Sequence, residues 1–430
     1  MHILWLKTEL LHPVDKGGRI RTYQMLRQLR REHHVTYLTL DDGTAAPDAL
    51  ARAREYAYRV VRVPFRTAPK RSPRFFAELA ANVVSPLPYA VAKYRSDGMR
   101  RALLELLRAG AATGDAGEPL PPIDIVVCDF LFPSVNVPDG LGVPTLMFQH
   151  NVEARIWERH TAVAANAVKR AYMGEQWRRM RRHEAAECRR FDHVVAVSPE
   201  DAAAMVAEYG VRSVSDVPTG VDTEYFRPSG TVARTPRNLV FTGSMDWMPN
   251  EDAILWFVEA ILPRVRARVP DVTLTVVGRN PPPRVRALPT AHPYVEVTGS
   301  VPDVRPYIER AELFVVPIRV GGGTRLKIFE AMAMECPVVS TPIGAEGLPV
   351  RDGVDALLAA EPDAFADAVV ALLEDPARAA ALGRSAATLV RERFGWDAVT
   401  AHFADACRAT IAARAGAARP GARDVAAAAR

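Results

Sequence analysis

The chain has 430 residues, of which 49% are hydrophobic and 24% charged, and its net charge is +5. At this length we expect two or three domains, and the composition is that of a globular protein rather than a disordered one. Residues 1–215 carry 31 basic against 24 acidic side chains, which favours an anionic partner for this half. No nucleic-acid-binding signature accompanies the charge, so we expect no nucleic acid among the partners.

The sequence also indicates where the protein works. No uncharged apolar run reaches the roughly 18 to 20 residues that a membrane helix needs. The first residues have too short an apolar run for a signal peptide, and the 4 cysteines stand singly, as reduced thiols do in the cytosol. We therefore expect a cytoplasmic protein.

Strands and helices alternate in the first half of the chain. An apolar run at residues 3–6 precedes a glycine-containing loop and an amphipathic helix over residues 20–31. Short apolar runs typical of buried parallel strands occupy residues 35–40, 125–128, 144–148 and 194–197. This alternation predicts an α/β domain with a doubly wound parallel sheet.

The alternation restarts after a proline- and glycine-rich stretch at residues 217–235, where we place the connection between two domains. Predicted helices cover 250–268 and 327–334, and predicted strands occupy 239–241, 272–277, 295–297, 313–316 and 337–340. The predicted fold class is therefore α/β, with two Rossmann-like doubly wound parallel-sheet domains. We assign 1–215 to the first domain, 216–395 to the second, 396–413 to a terminal helix crossing back to the first, and 414–430 to a disordered tail.

Two glycine-rich turns stand where a predicted strand passes into a helix. Gly17 and Gly18 follow the first strand, and residues 321–324, Gly-Gly-Gly-Thr, precede the helix predicted over 327–334. Glycine lets the backbone approach a ligand closely, and the start of a helix presents free amides to an anion. Each turn is therefore a candidate site for a phosphate group.

The second turn is followed by two cations at the helix end that disfavours positive charge, Arg325 and Lys327. An anion such as a diphosphate would compensate them, and Glu330, one turn later, would accept ribose hydroxyls. The alternative is a solvent-exposed cation pair, with Glu330 as an ordinary salt-bridge partner.

The run at residues 315–347, which contains this turn, resembles the donor-site segment of family-4 retaining glycosyltransferases with the GT-B fold. Residues 217–222 resemble the family's interdomain turn, and residues 241–244 the turn that opens its second domain. The resemblance covers nearly the whole chain, in order. It implies two domains facing a central cleft, the first binding the acceptor and the second the nucleotide diphosphate sugar. The implied reaction transfers the sugar to an acceptor hydroxyl, with the anomeric configuration retained.

The resemblance also implies the roles of individual residues. Arg325 and Lys327 would hold the diphosphate, and backbone near Val301 would contact the base. His150 follows a strand end, where open α/β sheets bind ligands, and stands where the family often has a histidine touching the donor sugar; the alternative is a structural histidine. The catalytic candidates are His150, Arg325 and Lys327. The donor-binding candidates are Gly17, Gly18, Gly243, Ser244, Val301, Gly322, Gly323, Thr324 and Glu330.

Two departures from the family's pattern matter. Gly322 stands where the family has the first of two glutamates, and residues 245–250 lack the cations that usually follow the second domain's opening turn. No Asp-x-Asp pair stands at a strand end, so we expect no metal cofactor, with Arg325 and Lys327 stabilising the leaving diphosphate instead. A catalytically silent nucleotide-sugar binding protein and a nucleotide-sugar epimerase of the same fold are the alternatives to a transferase.

Basic and aromatic residues interleave in the first half of the chain, a pattern suited to an anionic lipid surface. They are Arg66, Lys70, Arg71 and Arg74 with Phe75, Phe76 and Leu79, followed later by the arginines at 178–182. Many relatives modify lipid-linked acceptors, so the resemblance implies a lipid-linked or glycan acceptor at the inner face of the membrane, in bacterial cell-surface glycan or glycolipid synthesis. The alternative for residues 178–190 is a solvated helix face paired with Glu175, Glu184 and Glu187.

Overall fold

The computed structural model describes residues 1–14, 17–69, 71–110, 112–162, 166–320 and 325–417. Two compact units make up the chain: unit 1 contains Met1–Pro218 and the described residues from Val399 onward, and unit 2 contains Thr219–Ala398. Several residues named in the sequence analysis lie outside the described residues: Lys70, Gly322, Gly323, Thr324 and 418–430.

Unit 1 is built on parallel strands connected by helices. Its strands are β1 (His2–Lys7), β2 (His34–Asp41), β3 (Arg59–Pro64), β4 (Ala112–Thr113), β5 (Pro119–Leu120), β6 (Ile125–Asp129), β7 (Thr145–Phe148), β8 (His193–Ala196) and β9 (Val214–Asp216). Its helices are α1 (Gly17–Glu32), α2 (Ala49–Arg52), α3 (Pro73–Asn82), α4 (Tyr89–Ala92), α5 (Asp97–Arg108), α6 (Glu153–Ala162), α7 (Ala167–Arg190) and α8 (Pro199–Tyr209). Seven strands of the described chain form one parallel sheet in the order β3-β2-β1-β6-β7-β8-β9, and β4 and β5 pair separately as an antiparallel hairpin.

Unit 2 repeats this plan with a second sheet. Its strands are β10 (Asn238–Thr242), β11 (Thr273–Val277), β12 (Val295–Gly299), β13 (Leu313–Val316), β14 (Val338–Ser340) and β15 (Leu357–Leu358). Its helices are α9 (Met248–Trp256), α10 (Leu262–Arg268), α11 (Pro283–Arg286), α12 (Leu288–Ala291), α13 (Arg305–Arg310), α14 (Leu326–Ala333), α15 (Pro362–Glu374) and α16 (Pro376–Phe394), and α17 (Trp396–Ala417) follows. The strand order is β12-β11-β10-β13-β14-β15, all parallel.

Both faces of each sheet are buried, which explains why the strands read as continuous apolar runs. On β10, Leu239 and Phe241 belong to one hydrophobic core and Val240 belongs to another, because successive side chains point to opposite faces. In unit 1, Leu4 and Leu6 pack into one core. Trp5 points the other way and packs at 5.5 Å from Phe403 of α17. The predicted α/β fold class with two parallel-sheet domains is thus confirmed.

The structure differs from the sequence prediction at the edges and at the C-terminal helix. The edge strands β3, β9 and β15 were not predicted, because β3 carries Arg59 and Arg62 and the other two are only three and two residues long. The terminal helix ends at Ala417 rather than at residue 413, so the predicted tail at 414–430 is wrong for its first four residues. Alanine favours the helix there, and Arg414 pairs with Asp192 at 2.7 Å.

Candidate active site

The carboxyl end of the sheet in unit 2 collects the first group of site residues. β10 ends at Thr242, and Gly243 follows it directly. An alanine-like Cβ at Gly243 would lie 2.6 Å from Nζ of Lys327 and 2.7 Å from Nδ2 of Asn250. Only glycine therefore lets these two side chains come this close to the backbone after β10. This edge is also where open α/β sheets bind ligands.

Lys327 is the centre of this group. Its Nζ donates a hydrogen bond to Oδ1 of Asn250 at 2.8 Å and lies 4.1 Å from the centre of the Phe241 ring. Asn250 is 3% exposed, and its Nδ2 donates to the carbonyl of Ser244 at 2.8 Å. One amide thus holds both the ammonium of α14 and the turn after β10.

Burial sets the electrostatics of Lys327 and of Glu330, one helical turn later. Burial lowers the pKa of Lys327 to about 7, and Arg325 adds to the effect while Glu330 opposes it. Burial likewise raises the pKa of Glu330 to about 7 against the influence of Lys327. Both groups therefore titrate near neutral pH, and strongly shifted pKa values of this kind are typical of functional sites.

Arg325 lies just before α14 rather than in its first turn. The helix begins at Leu326, one residue before its predicted start, and Arg325 has non-helical backbone angles at the capping position. Its guanidinium carbon lies 5.0 Å from the centre of the Trp247 ring, and the residue is only 5% exposed. The cation is therefore enclosed beside an aromatic ring that is itself 39% exposed.

Ser244 also lies at this edge and is bound by a cation that the sequence analysis missed. Nε of Arg279, two residues beyond β11, donates to Oγ of Ser244 at 2.8 Å. Ser244 in turn donates to Asp246 at 2.5 Å. Val301, the predicted base contact, lies two residues after β12 and is partly buried against the core of unit 2. Adjacent strand ends thus bring Gly243, Arg279 and Val301 to one edge.

The carboxyl end of the sheet in unit 1 carries a second buried group. Nζ of Lys7, the last residue of β1, lies 2.8 Å from Oδ2 of Asp129, the last residue of β6, and both are almost fully buried. The same oxygen accepts from Nε1 of Trp5 at 3.0 Å and from Oγ1 of Thr22 at 2.6 Å. β1 and β6 are neighbours in the sheet, so their final residues meet.

His150 completes this second group. Its Nε2 lies 2.7 Å from Oδ1 of Asp129, and its ring stacks on Phe130 with 3.8 Å between ring centres. Burial lowers the pKa of His150 to about 3, and Asp129 offsets only part of this. Burial alone would raise the pKa of Asp129, but Lys7 and His150 outweigh it and hold that pKa well below its usual range. His150 is therefore neutral beside an ionised carboxylate.

The first glycine turn lies beside this group. Gly17 begins α1, and a Cβ added to Gly18 would lie 3.1 Å from the ring of Phe130. Arg21, one turn into α1, is 3% exposed and donates to the carbonyl of Val217 at 2.5 Å. Burial lowers the pKa of Arg21 to about 9, so it stays charged at neutral pH.

The predicted site residues thus fall into two groups, one in each unit. Unit 2 brings together Gly243, Ser244, Lys327 and Glu330, with Arg325 beside Trp247. Unit 1 brings together Gly18 and His150 through Phe130. Sequence reasoning did not single out Lys7, Asp129, Phe130, Asn250 and Arg279. Lys7 and Asp129 could have been identified as candidates from the sequence, because each is a charged residue at the end of an apolar strand.

Two further observations concern the residues with described structure. Within these ranges, no three His, Cys, Asp or Glu side chains come together as a metal site would need. Over the same ranges, each helix is too short or too polar to span a lipid bilayer.

The fold matches solved structures along nearly the whole chain. A sucrose-phosphate synthase from Thermosynechococcus elongatus superposes with a TM-score of 0.65 at 18% identity, covering 96% of this chain and 100% of that one. HepE from Anabaena, solved in complex with UDP, gives a TM-score of 0.63 at 14% identity, covering 95% and 100%. These likenesses define the class: this is a protein with the GT-B fold.

Two family models match the sequence. The model described as Glycosyltransferase Family 4 matches residues 16–225, and the model described as Glycosyl transferases group 1 matches residues 236–375. The chain therefore belongs to the family-4 type of the group 1 glycosyltransferases.

Curated relatives are similar over part of their length. The chain is 28% identical over 249 residues to a GDP-mannose-dependent alpha-(1-6)-phosphatidylinositol monomannoside mannosyltransferase of Mycobacterium tuberculosis, covering 52% of this chain and 63% of that protein. It is 30% identical over 202 residues to a D-inositol 3-phosphate glycosyltransferase of Mycolicibacterium paratuberculosis, covering 42% and 44%. These matches span less than two thirds of the relatives' own length.

Proposed function

We propose that this protein transfers a sugar from a nucleotide diphosphate sugar to an acceptor hydroxyl, with the anomeric configuration retained. One observation carries the proposal: a partly buried ammonium, Lys327, is held by a neutral amide, Asn250, under a glycine at the carboxyl end of the sheet. Such an ammonium gains most from an anionic ligand, and a diphosphate is the anion that the family's donors supply. Membership of the glycosyltransferase family supports the same conclusion.

The roles of the residues follow from their chemistry. Lys327 and Arg325 stabilise the negative charge that develops on the leaving diphosphate, which in a water-poor site is a large contribution to catalysis. Glu330 accepts hydrogen bonds from ribose hydroxyls, and Gly243, Ser244 and backbone near Val301 bind the rest of the nucleotide. We assign the remaining proposed donor contacts to phosphate oxygens, which backbone amides of glycine turns before a helix can bind: Gly17, Gly18, Gly322, Gly323 and Thr324. No metal ion takes part in this scheme.

His150 contacts the transferred sugar in this proposal. Because its pKa is lowered to about 3, the imidazole is neutral at physiological pH and acts as a hydrogen-bonding group rather than a cation. The acceptor hydroxyl attacks from the face that the diphosphate leaves, and a phosphate oxygen takes its proton. Relatives named for phosphatidylinositol mannosides and inositol phosphate support a lipid-linked or glycan acceptor.

The test is release of a nucleoside diphosphate, measured by mass spectrometry over a panel of nucleotide sugars, with and without a bacterial lipid extract. We expect release from one donor, rising with the extract, and loss of release of roughly 100- to 1,000-fold in Lys327→Met. Arg268→Ala, which removes an exposed cation of α10 paired with Asp367, is the matched control and should release at the wild-type rate.

Other outcomes separate the alternatives. Tight donor binding without release across the panel would indicate a catalytically silent binding protein. A changed sugar configuration without any need for acceptor would indicate an epimerase. Release that is equal in Lys327→Met and in the wild type would remove this lysine from the mechanism.

We also propose that unit 1 contacts an anionic membrane from the cytoplasmic side through α3 and the residues after it. Phe76 is 58% exposed, Val83 63% and Val84 89%, next to the basic residues at the start of α3. The arginines at 178–182 contribute less, because Glu175 lies within 4.0 Å of Arg178, Arg179 and Arg182.

Vesicle binding tests the membrane proposal. Phe76→Ser should reduce sedimentation with vesicles containing anionic lipid, and added salt should reduce it further. Val206→Ser changes an apolar residue of α8 that is 48% exposed, and serves as the matched control. Equal sedimentation of the two variants would contradict the assignment of this surface.

A further inference from the structure

Phe130 has a backbone conformation that its side chain disfavours. It follows β6 directly and has φ of +71°, in the left-handed region. A bulky side chain there clashes with its own backbone, and such strain persists mainly at functional sites. Among the described non-glycine residues with positive φ, which are Arg71, Phe130, Arg237, Asn280 and Glu335, Phe130 is the aromatic one.

The surroundings show what holds Phe130 in this conformation. Its backbone N–H donates to the carbonyl of Phe148 at 2.9 Å, continuing the pairing of β6 with β7. Its ring is in close contact with Gly18 on one side and stacks on His150, with an angle of 20° between the ring planes. Nζ of Lys7 lies 4.7 Å from the ring centre. The strained turn thus places an aromatic face against the imidazole.

Asp129, the residue before Phe130, contacts one ring nitrogen of His150 and so determines which nitrogen is protonated. Its Oδ2 accepts from three donors, Lys7, Trp5 and Thr22, so the carboxylate acts as an acceptor. Nε2 of His150 lies 2.7 Å from Oδ1, and a lone pair on Nε2 would be repelled by the carboxylate at this distance, so we infer that Nε2 carries the ring proton. Nδ1 is left as the hydrogen-bond acceptor of the ring.

We propose that Phe130 and Asp129 are positioning residues that clamp His150, so that Nδ1 accepts a hydrogen bond from a hydroxyl of the transferred sugar. Asp129 sets which nitrogen carries the proton, and Phe130 sets the plane of the ring. This inference rests on the proposed function, because it assumes that His150 contacts the sugar. It adds the chemical class that the contact requires: the sugar group must be a hydrogen-bond donor.

The first experiment determines directly which ring nitrogen of His150 is protonated. Long-range proton–nitrogen NMR spectra of the ¹⁵N-histidine-labelled chain distinguish the two tautomers, and His150→Gln assigns the signal. We expect a single form protonated at Nε2 in the wild type and in Phe130→Tyr, which keeps the aromatic face. In Phe130→Ala and Asp129→Asn, we expect a mixture of tautomers.

The second experiment separates positioning from simple structural support. We expect kcat/KM to fall roughly 10- to 100-fold in Phe130→Ala, as misplaced catalytic contacts commonly cause, and Phe130→Tyr to restore most of it. Phe130→Gly should unfold at a higher temperature than Phe130→Ala and still transfer as poorly, because glycine relieves the positive φ without restoring the ring. Arg237→Gly relieves a positive φ at the amino end of β10 and should transfer at the wild-type rate.

The outcomes that would overturn the proposal are specific. Protonation at Nδ1 in the wild type would refute the role of Asp129, and an unchanged tautomer with unchanged transfer in Phe130→Ala would refute the role of Phe130. If no variant and no wild-type sample releases a nucleoside diphosphate, the proposed function fails instead. The NMR spectra and the order of the unfolding temperatures would then still decide whether the clamp exists.

Discussion

Each unit has a lysine at the carboxyl end of its sheet, buried in unit 1 and partly buried in unit 2, and the two lysines differ in what they face. Lys7 lies 2.8 Å from the ionised carboxylate of Asp129, with Trp5 and Thr22 on the same oxygen. Lys327 lies 2.8 Å from the neutral amide of Asn250. The ammonium in unit 1 is matched by a carboxylate in direct contact, whereas the ammonium in unit 2 contacts an uncharged group and is only partly compensated by Glu330, one helical turn away.

We interpret this difference as that between a charge with a structural role and a charge that the proposed function assigns to ligand binding. Taking a charge out of water is costly unless a partner compensates it. In unit 1 the compensation is permanent and holds Asp129 ionised, while burial keeps His150 neutral. In unit 2 the cost appears as a pKa of Lys327 lowered to about 7, which an anionic ligand would reverse. We infer that unit 1 supplies a rigid site and unit 2 a site completed by its ligand.

The largest expected effect tests the unit 1 side of this comparison. Asp129→Asn removes the carboxylate and leaves Lys7 buried without a negative partner, which should cost about 3–5 kcal/mol of unfolding free energy. Lys327→Met should cost less than this, because burial already disfavours the charge that it removes and the main loss is the hydrogen bond to Asn250. Urea unfolding measures both. Asp271→Asn, in an exposed pair with Arg237, is the control and should leave the unfolding free energy close to the wild-type value.

The second prediction tests whether donor binding requires Lys327 and Asn250 to lie directly against the backbone of Gly243. Gly243→Ala would place a methyl group 2.6 Å from Nζ of Lys327 and 2.7 Å from Nδ2 of Asn250, so the ammonium must move. We expect donor affinity, measured by calorimetry, to fall roughly 10- to 100-fold, the usual value of a hydrogen bond to a charged group. Gly174→Ala adds a methyl group in α7 with ordinary contact at 3.6 Å and should bind donor normally. Equal affinities would show that Lys327 tolerates displacement.

Much of the fold could be predicted from the sequence, and particular residues show why. Strands such as β6 and β13 are buried on both faces, so they read as short runs of apolar residues. The edge strand β3 escaped prediction because its outward positions carry arginines and its last residue is a proline. The start of α14 was predicted to within one residue, but nothing in the sequence shows that Arg325 lies outside the helix.

The candidate site was predictable only where its residues are close in sequence. Lys327 and Glu330 lie one helical turn apart, and that spacing is visible in the sequence. Asn250 meets Lys327 across 77 residues of chain, and Lys7 meets Asp129 across 122. Such contacts depend on which strands are neighbours in the sheet, and local sequence patterns do not predict the order of the strands. The neutral partner of Lys327 is therefore the feature that only the structure supplies.

The third prediction concerns Glu330. Glu330→Gln keeps the shape of the side chain and removes the carboxylate, so a ribose hydroxyl loses a charge-assisted hydrogen bond. We expect a loss of donor affinity of roughly 10-fold. The same substitution removes the group that opposes the lowering of the Lys327 pKa, so that pKa should fall further. Glu346→Gln, an exposed glutamate of the same unit, is the control, and calorimetry in which both variants bind as the wild type would exclude a ribose contact.

The smallest expected effect is a proton taken up when the donor binds. With a pKa of about 7, Lys327 is mostly neutral at pH 8 and mostly charged at pH 6, and the diphosphate favours the charged form. Affinity should therefore weaken as pH rises above 7, by at most about tenfold per unit, the limit for one proton. Calorimetry at pH 8 in buffers of different ionisation enthalpy should show uptake approaching one proton, and at pH 6 little.

Two variants identify the source of that proton. Glu330 also has a pKa of about 7, so Glu330→Gln removes the competing titration. Lys327→Met should abolish the uptake. Uptake that persists in Lys327→Met would mean that another group takes the proton. The charge of Lys327 would then not change when the donor binds, as we expect for Lys7 in unit 1. The two lysines would then play the same structural part, and the anion-binding role would have to move to Arg325 or Arg279.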